Sequence, residues 1–309
     1  MQIGTSQLFN NSYSRMSTLN AQAAKLQTEI ATSKKSNAPS DDAVAFGRLT
    51  RITRTISNEG QYADNMKLAS SLLQQTDDAL GAISTQVQRV RELSLRAASD
   101  TLSESDRTSI QTELNGIVDA MMSIANTTDS RGIPLFGGAD GQTPFVKDAD
   151  GNIVYQGQGE PAAIPISDVA SIQAVSSGAR AFGAIPDGST NGGTTDLFAL
   201  VKTLAAALDP TVSVADRKAA TEKSLTALAA ADNAVTNQRA SVGARGARLE
   251  LESEQLASLA ETREIERSSL EDADTTESVV KLQQIMTILQ ATQASFSKLS
   301  QLSLFNYLS

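Results

Sequence analysis

The chain has 309 residues, a formal net charge of −9, 4% aromatic residues and no Trp, Cys or His. The missing Cys and His exclude disulfides, thiol nucleophiles, Cys/His zinc sites and His-based acid–base or Ser-His-Asp catalysis, and the acidic balance argues against nucleic acid as a partner. No run approaches the ~18 apolar residues of a membrane span, and residues 1–20 lack the charged start and apolar middle of a secretory signal. Composition alone therefore implies no membrane insertion, no cofactor and no enzyme, and reads as a cytosolic chain with a small aliphatic core.

Residues 5–33 place Phe9, Met16, Leu19, Ala23, Leu26 and Ile30 on one helical stripe, at steps of seven, three, four, three and four. Such a heptad row needs a partner helix. After a break at residues 34–39, Ser40, Asp41 and Asp42 supply an N-cap and first-turn acids for a helix reaching about Ala98. In it Met66, Ala69, Leu73, Thr76, Leu80, Ile83, Val87 and Val90 keep heptad spacing, which predicts an extended helix in a coiled coil or bundle. Ser103 and Asp106 then cap a helix carrying Ile110, Leu114, Ile117, Met121 and Ile124, and the short break at residues 99–102 lets it fold back antiparallel.

Most of the Gly and Pro falls between residues 131 and 195, with Asp140-Gly141, Asp150-Gly151 and Asp187-Gly188 punctuating short β-prone runs such as residues 152–155. That is hairpin chemistry and predicts a small β-rich insert. Helical periodicity returns near Asp196, pauses at Asp209-Pro210 and runs from about Val214 to Arg267, with Leu228, Val235, Val242, Leu249 and Leu256 at every seventh position. Gly243 and Gly246 weaken this helix by about 1 kcal/mol each relative to Ala, so they need a reason such as a close helix approach. Asp274 and Glu277 open a terminal helix with Val279, Leu282, Met286, Leu289, Phe296 and Leu299 on its stripe and an apolar end of Leu302, Leu304, Phe305, Tyr307 and Leu308. The fold class is mainly α: a long antiparallel helical rod, or coiled-coil bundle, formed by the two chain halves around a β-rich insertion. Expected boundaries are residues 1–40 with 272–309 for terminal coiled-coil helices, 41–135 with 196–271 for the rod, and 136–195 for the insert.

Three acidic or glycine-rich clusters receive plain readings. Asp148, Asp150, Gly151 and Asn152 resemble the start of a calcium loop but lack the later ligands and the Glu at position twelve, so a hairpin turn is expected. Glu271, Asp272 and Asp274 are read as helix-start acids rather than a paired-carboxylate or metal site. Gly137-Gly138 lacks the Lys-Ser/Thr of a phosphate loop, and neither it nor Gly157-Gln158-Gly159 opens a helix.

Several segments resemble the bacterial flagellin family: Gln88-Arg89-Val90-Arg91-Glu92-Leu93, the Ser103-Glu104-Ser105-Asp106 cap with Ile110 and Gln111, and Glu271-Asp272-Ala273-Asp274 before the last helix. Three others look more like the family's junction members, which join hook to filament, than like the filament subunit. These are Leu135-Phe136-Gly137-Gly138 with Thr143-Pro144-Phe145, Gly243-Ala244-Arg245 leading to Arg248-Leu249-Glu250, and the terminal Leu302-Ser303-Leu304-Phe305-Asn306-Tyr307-Leu308. Gly132-Ile133-Pro134 departs from the usual lead-in to the Leu-Phe-Gly-Gly motif.

The resemblance implies an extracellular flagellar protein exported without a cleaved signal. Its implied partners are neighbouring copies of the chain, the preceding hook-associated protein, flagellin, and an export chaperone and export apparatus. The terminal helices would pair in an inner tube and gain full burial only between neighbours, coupling folding to assembly. The expected assembly residues are Phe9, Met16, Leu19, Leu26, Ile30, Arg89, Arg91, Leu282, Met286, Leu289, Phe296, Leu304, Phe305, Asn306, Tyr307 and Leu308. Without the resemblance, Arg89 and Arg91 read as a solvated helix face. Two other readings are a divergent filament flagellin and a surface module that binds a polysaccharide or host receptor through the β-rich insert, whose scarce aromatics Phe145, Tyr155 and Phe182 give little stacking surface.

Overall fold

The computed structural model describes residues 2–35, 39–40, 42–99, 101–189 and 193–308, with the side chains of residues 2–6, 8 and 299–308 outside the described set. Asp41 and the side chains of Leu299, Leu302, Leu304, Phe305, Asn306, Tyr307 and Leu308 therefore lie outside the described residues. The fold is mainly α. The helices are α1 (Gln2–Thr32), α2 (Ala43–Ala97), α3 (Glu104–Ala125), α4 (Gly178–Phe182), α5 (Leu197–Ala207), α6 (Val214–Glu271) and α7 (Thr275–Leu308). Three antiparallel hairpins lie between α3 and α5: β1 (Phe145–Lys147) with β2 (Ile153–Tyr155), β3 (Ile164–Pro165) with β4 (Ser171–Ile172), and β5 (Ile185–Pro186) with β6 (Thr194–Thr195). No described helix is long and apolar enough to cross a membrane.

The helix starts follow the sequence signals. The Asp42 carboxylate accepts from the Val44 and Ala45 N–H groups, both at 2.9 Å. Ser103 and Asp106 form a reciprocal capping box at the start of α3, Asp196 caps α5, and Asp274 accepts from the Glu277 N–H at 3.0 Å at the start of α7. Each cap satisfies N–H groups that have no partner in the first helical turn.

The chain forms two compact units. Unit 1 comprises Met1–Asn58 with Ser258–Ser309, and unit 2 comprises Glu59–Ala257. Unit 2 holds a contiguous core. The α2 row from Met66 to Val90 is buried throughout, Met66 at 4% exposure being its most accessible member. Thr76 is tolerated in that row because its hydroxyl donates to the Leu72 carbonyl at 2.7 Å. Ile110, Leu114 and Met121 of α3 join it, and α3 packs on α5 through Leu197, Val201 and Leu204. Leu228, Val235, Val242 and Leu249 of α6 complete it.

The insert is fixed to this core by aromatic rings. Phe136 meets Phe182, and Phe145 meets Phe198 of α5, both with ring centroids 4.9 Å apart. Gly178 permits this approach, because a Cβ there would lie 2.6 Å from Phe145 Cζ. Phe145 and Phe182 are buried and Tyr155 is half-buried, so the rings considered for ligand stacking are core side chains instead. At the β1–β2 turn, Asp148 accepts from the Asn152 N–H at 2.7 Å and the Asp150 N–H at 3.0 Å. Gly151 takes φ 73°, a conformation that favours glycine. The hairpin reading of this acidic loop therefore holds, and the described residues contain no three-ligand metal cluster.

Between α3 and the insert, Asp129 organises the turn through residue 133. Its carboxylate accepts from the Arg131 and Ile133 N–H groups at 2.8 and 3.0 Å and pairs with the Arg131 guanidinium. Burial alone would raise this carboxyl, but the Ile133 and Arg131 donors outweigh it and hold it below the ordinary carboxylate range.

Two outcomes are expected. Leu80→Ala should lower the unfolding free energy of unit 2 by about 2–5 kcal/mol, read from denaturant midpoints, because Leu80 is 1% exposed and its loss leaves a cavity. For Asp129, the depressed folded-state pKa means that its stabilisation is present above the unfolded value of about 3.9 and is lost as pH falls through the lower folded value. Asp129→Asn should therefore lower the thermal midpoint at neutral pH and flatten its decline in acid; an unchanged acid limb would contradict this role.

Candidate assembly interface

Unit 1 is organised by an antiparallel seam between α1 and α7. On α1 the inward row is Phe9, Ser12, Met16, Leu19, Ala23, Leu26 and Ile30, and on α7 it is Ser278, Leu282, Ile285, Leu289, Thr292 and Phe296. Both rows step by three and four, the spacing of a coiled-coil seam. Phe9 meets Phe296 edge-on at one end, with centroids 4.9 Å apart and planes at 80°. At the other end Lys34 bridges to Asp272, the Lys35 N–H donates to the Glu271 carbonyl at 2.7 Å, and the Ala273 N–H donates to the Ser33 carbonyl at 3.0 Å. Glu271 also pairs with Lys34 and Arg267, so Asp274 alone of the three acids acts as the helix cap.

The seam is incompletely covered. Ala23, Ile52 and Leu289 are the only nearly fully buried apolar side chains among the described residues of unit 1. Phe9, Met16, Leu19, Leu26, Ile30, Leu282 and Phe296 are half-buried. The same unit exposes Tyr13, Val44, Phe46, Leu259, Ile265, Val279, Val280, Met286 and Ile288, most of the exposed large apolar side chains of the described chain.

The stripe expected on α7 is corrected here: Val279 and Met286 face outward at 48% and 41% exposure, and Ile285 takes the inward position. The physical reason is that α7 carries apolar residues at 279, 280, 282, 285, 286, 288 and 289, enough for two faces. Period alone could not choose which one meets α1.

Arg89 and Arg91 lie on α2 in unit 2 and separate in role. Arg89 donates to Glu113 of α3 at 2.7 Å and to Glu92 at 2.9 Å, and the Glu113 hydrogen bond raises its already high pKa. It is thus occupied within the chain. Arg91 is exposed and has no ion-pair partner among the described residues.

Sequence reading missed the pair of Arg239 with Asp77, at 2.9 and 3.0 Å, which links α6 to α2. Opposite charges 162 residues apart carry no local signal. It also missed that Arg245, in the Gly243-Ala244-Arg245 motif, is partly buried and donates to the Gln173 carbonyl of the insert, with burial lowering its pKa.

A chain whose N- and C-terminal parts are helical around an inserted hairpin region, with apolar rows left half-exposed on α1 and α7, has the form of a structural subunit. This chain belongs to the bacterial flagellin family: its N-terminal helical region matches over residues 3–140 and its C-terminal helical region over residues 225–308. It is 28% identical over 318 residues to flagellar hook-associated protein 3 of Salmonella typhimurium strain LT2, and 27% identical over 321 residues to that of Escherichia coli K12. Each match covers 99% of both chains. The fold is similar to the crystal structure of flagellar hook-associated protein 3 from Legionella pneumophila, with a TM-score of 0.66 at 16% identity, covering 72% of this chain and 98% of that one. These relatives are flagellar structural proteins and not enzymes.

Proposed function

We propose that this chain is the adapter at the junction between the hook-associated region and the filament of a bacterial flagellum. The carrying observation is the contrast between its units. Unit 2 has a closed core, whereas unit 1 leaves heptad rows half-exposed and a second apolar face on α7 open. Exposed contiguous apolar surface of this kind marks an interaction site, and burial of apolar area, worth ~25 cal/mol per Å², is what neighbours would add. Similarity over essentially the whole length to hook-associated protein 3 favours a junction over a filament subunit.

In this reading copies of the chain pack side by side, meeting the preceding hook-associated protein on one side and flagellin on the other. The α1–α7 pair orders fully only on assembly, and an export chaperone shields α7 beforehand. The chain reaches the exterior through the flagellar export apparatus, without a cleaved signal. On sequence grounds we include Leu304, Phe305, Asn306, Tyr307 and Leu308, whose side chains lie outside the described residues, in the assembling segment.

Labelled protein on intact flagella should form one hook-proximal band; label along the whole filament would favour a filament flagellin instead. Deleting residues 300–309 should abolish filament attachment and motility. Amide exchange of residues 280–305 should be fast in the free chain, and strong protection there would refute coupled folding.

A further inference from the structure

We propose that the backbone ladder joining residues 33–35 to residues 271–273 in unit 1 is a register lock, which decides which turns of α1 and α7 face each other. The pairing lies within one chain, so the lock serves a junction subunit and a filament subunit alike.

The apolar rows do not settle the register by themselves. Phe9 faces Phe296 at one end of the seam and Lys34 faces Asp272 at the other. With equal rise along both helices, Met16 then lies opposite Leu289, Leu19 opposite Ile285 and Ala23 opposite Leu282. Leu26 is left facing Ser278. A slide of α1 by one heptad would instead set Met16 against Phe296, Ala23 against Leu289, Leu26 against Ile285 and Ile30 against Leu282. The pairings of Phe9 and Leu19 are exchanged for those of Leu26 and Ile30, and a heptad row is nearly indifferent to such a slip. Met16 on Phe296 would replace the edge-on ring pair with a sulfur–ring contact of similar worth. Ser12 and Thr292 lie opposite each other in the observed register, but the Thr292 hydroxyl donates at 2.7 Å to the Ile288 carbonyl of its own helix, so this polar layer does not hold the two helices.

Connectivity leaves the slide open. Residues 272–274 tie α7 closely to α6, which makes α1 the movable partner. The end of α1 and the start of α2 both lie beside the last turns of α6, through Lys34 with Glu271 and Arg48 with Glu266. The ten residues between Thr32 and Ala43 extend to about 33 Å, well beyond the ~10 Å of a one-heptad slide.

The ladder has no such degeneracy. The Lys35 N–H donates to the Glu271 carbonyl at 2.7 Å and the Ala273 N–H to the Ser33 carbonyl at 3.0 Å. To present that carbonyl, Ser33 takes φ 55°, a left-handed conformation that a non-glycine residue keeps only where its surroundings over-determine it. Charge reinforces the same register. Lys34 pairs with Glu271, and the Lys35 ammonium donates to the Ser269 carbonyl at 3.2 Å, across 234 residues of sequence. The Ser268 hydroxyl donates to Asp272 and holds the second strand of the ladder in place. A slide of one heptad would break every one of these contacts between the two breaks while conserving the apolar pairings, so the ladder carries the choice.

The chain has no Cys, so paired cysteines can report the register in assembled flagella. Ala23→Cys with Leu282→Cys reads the observed register, and Ala23→Cys with Leu289→Cys reads the slid one. The product scored after mild oxidation is the intramolecular disulfide, a faster-migrating single chain on a non-reducing gel. With the ladder intact, the first pair should form at least tenfold more of it than the second; equal yields would overturn the lock. Ala273→Pro removes the N–H given to Ser33 and should bring the two yields level, and a preference left unchanged would overturn the lock. Where that variant is not incorporated or forms neither disulfide, Lys34→Glu is read in its place. It keeps both N–H groups but sets like charges together, and should shrink the preference at least threefold; no change would again overturn the lock. Label along the whole filament would defeat the junction reading and leave the disulfide ratio to decide the lock.

Discussion

Burial of the α2 row from Met66 to Val90 is the interaction on which unit 2 depends. With aromatics at 4% and no Trp, the chain cannot build a core from a few large rings. It uses many aliphatic side chains repeated every three and four residues, so that this helix face shares one buried core with α3, α5 and α6. The few available rings are concentrated where periodicity fails. Phe136, Phe145, Phe182 and Phe198 hold the hairpins against α5, since strands of two or three residues have too little ladder to stand alone.

Unit 1 uses the same periodicity with a different result. Two helices pairing alone can cover only the facing side of each stripe, and the flanks of Phe9, Leu19, Leu282 and Phe296 stay partly in water. A seam of this type has a small margin over the conformational entropy of ordering its residues. Its local stability should therefore be low, and it responds strongly to any added apolar neighbour. In the function proposed above, the terminal sequences act by this route from heptad spacing to incomplete burial to assembly.

Much of this was legible in the sequence, for identifiable reasons. The rows of α2 and α6 were legible because each has one apolar face and long uninterrupted period, and the caps at Asp42, Ser103 and Asp274 because their chemistry is local. The inward face of α7 was not, since Val279, Ile285 and Met286 offer competing stripes. The Arg239–Asp77 and Arg245–Gln173 contacts depend on helix rotation and approach that no local pattern encodes. Gly243 and Gly246 were recognised as costly, but the sequence could not distinguish glycine that admits a neighbouring helix from glycine that leaves a space.

The two units also differ in how they tolerate displacement. Edge-to-face rings and a buried Asp129 turn demand fixed distances, so unit 2 has one low-energy arrangement. Partly exposed aliphatic rows and surface ion pairs such as Arg48 with Glu266 are less particular. Sliding one such row past another exchanges similar methyl contacts and opens no large cavity. The adapter role proposed above needs this combination: one unit that keeps its shape, and an α1–α7 surface whose energy changes little when the neighbour's lattice changes.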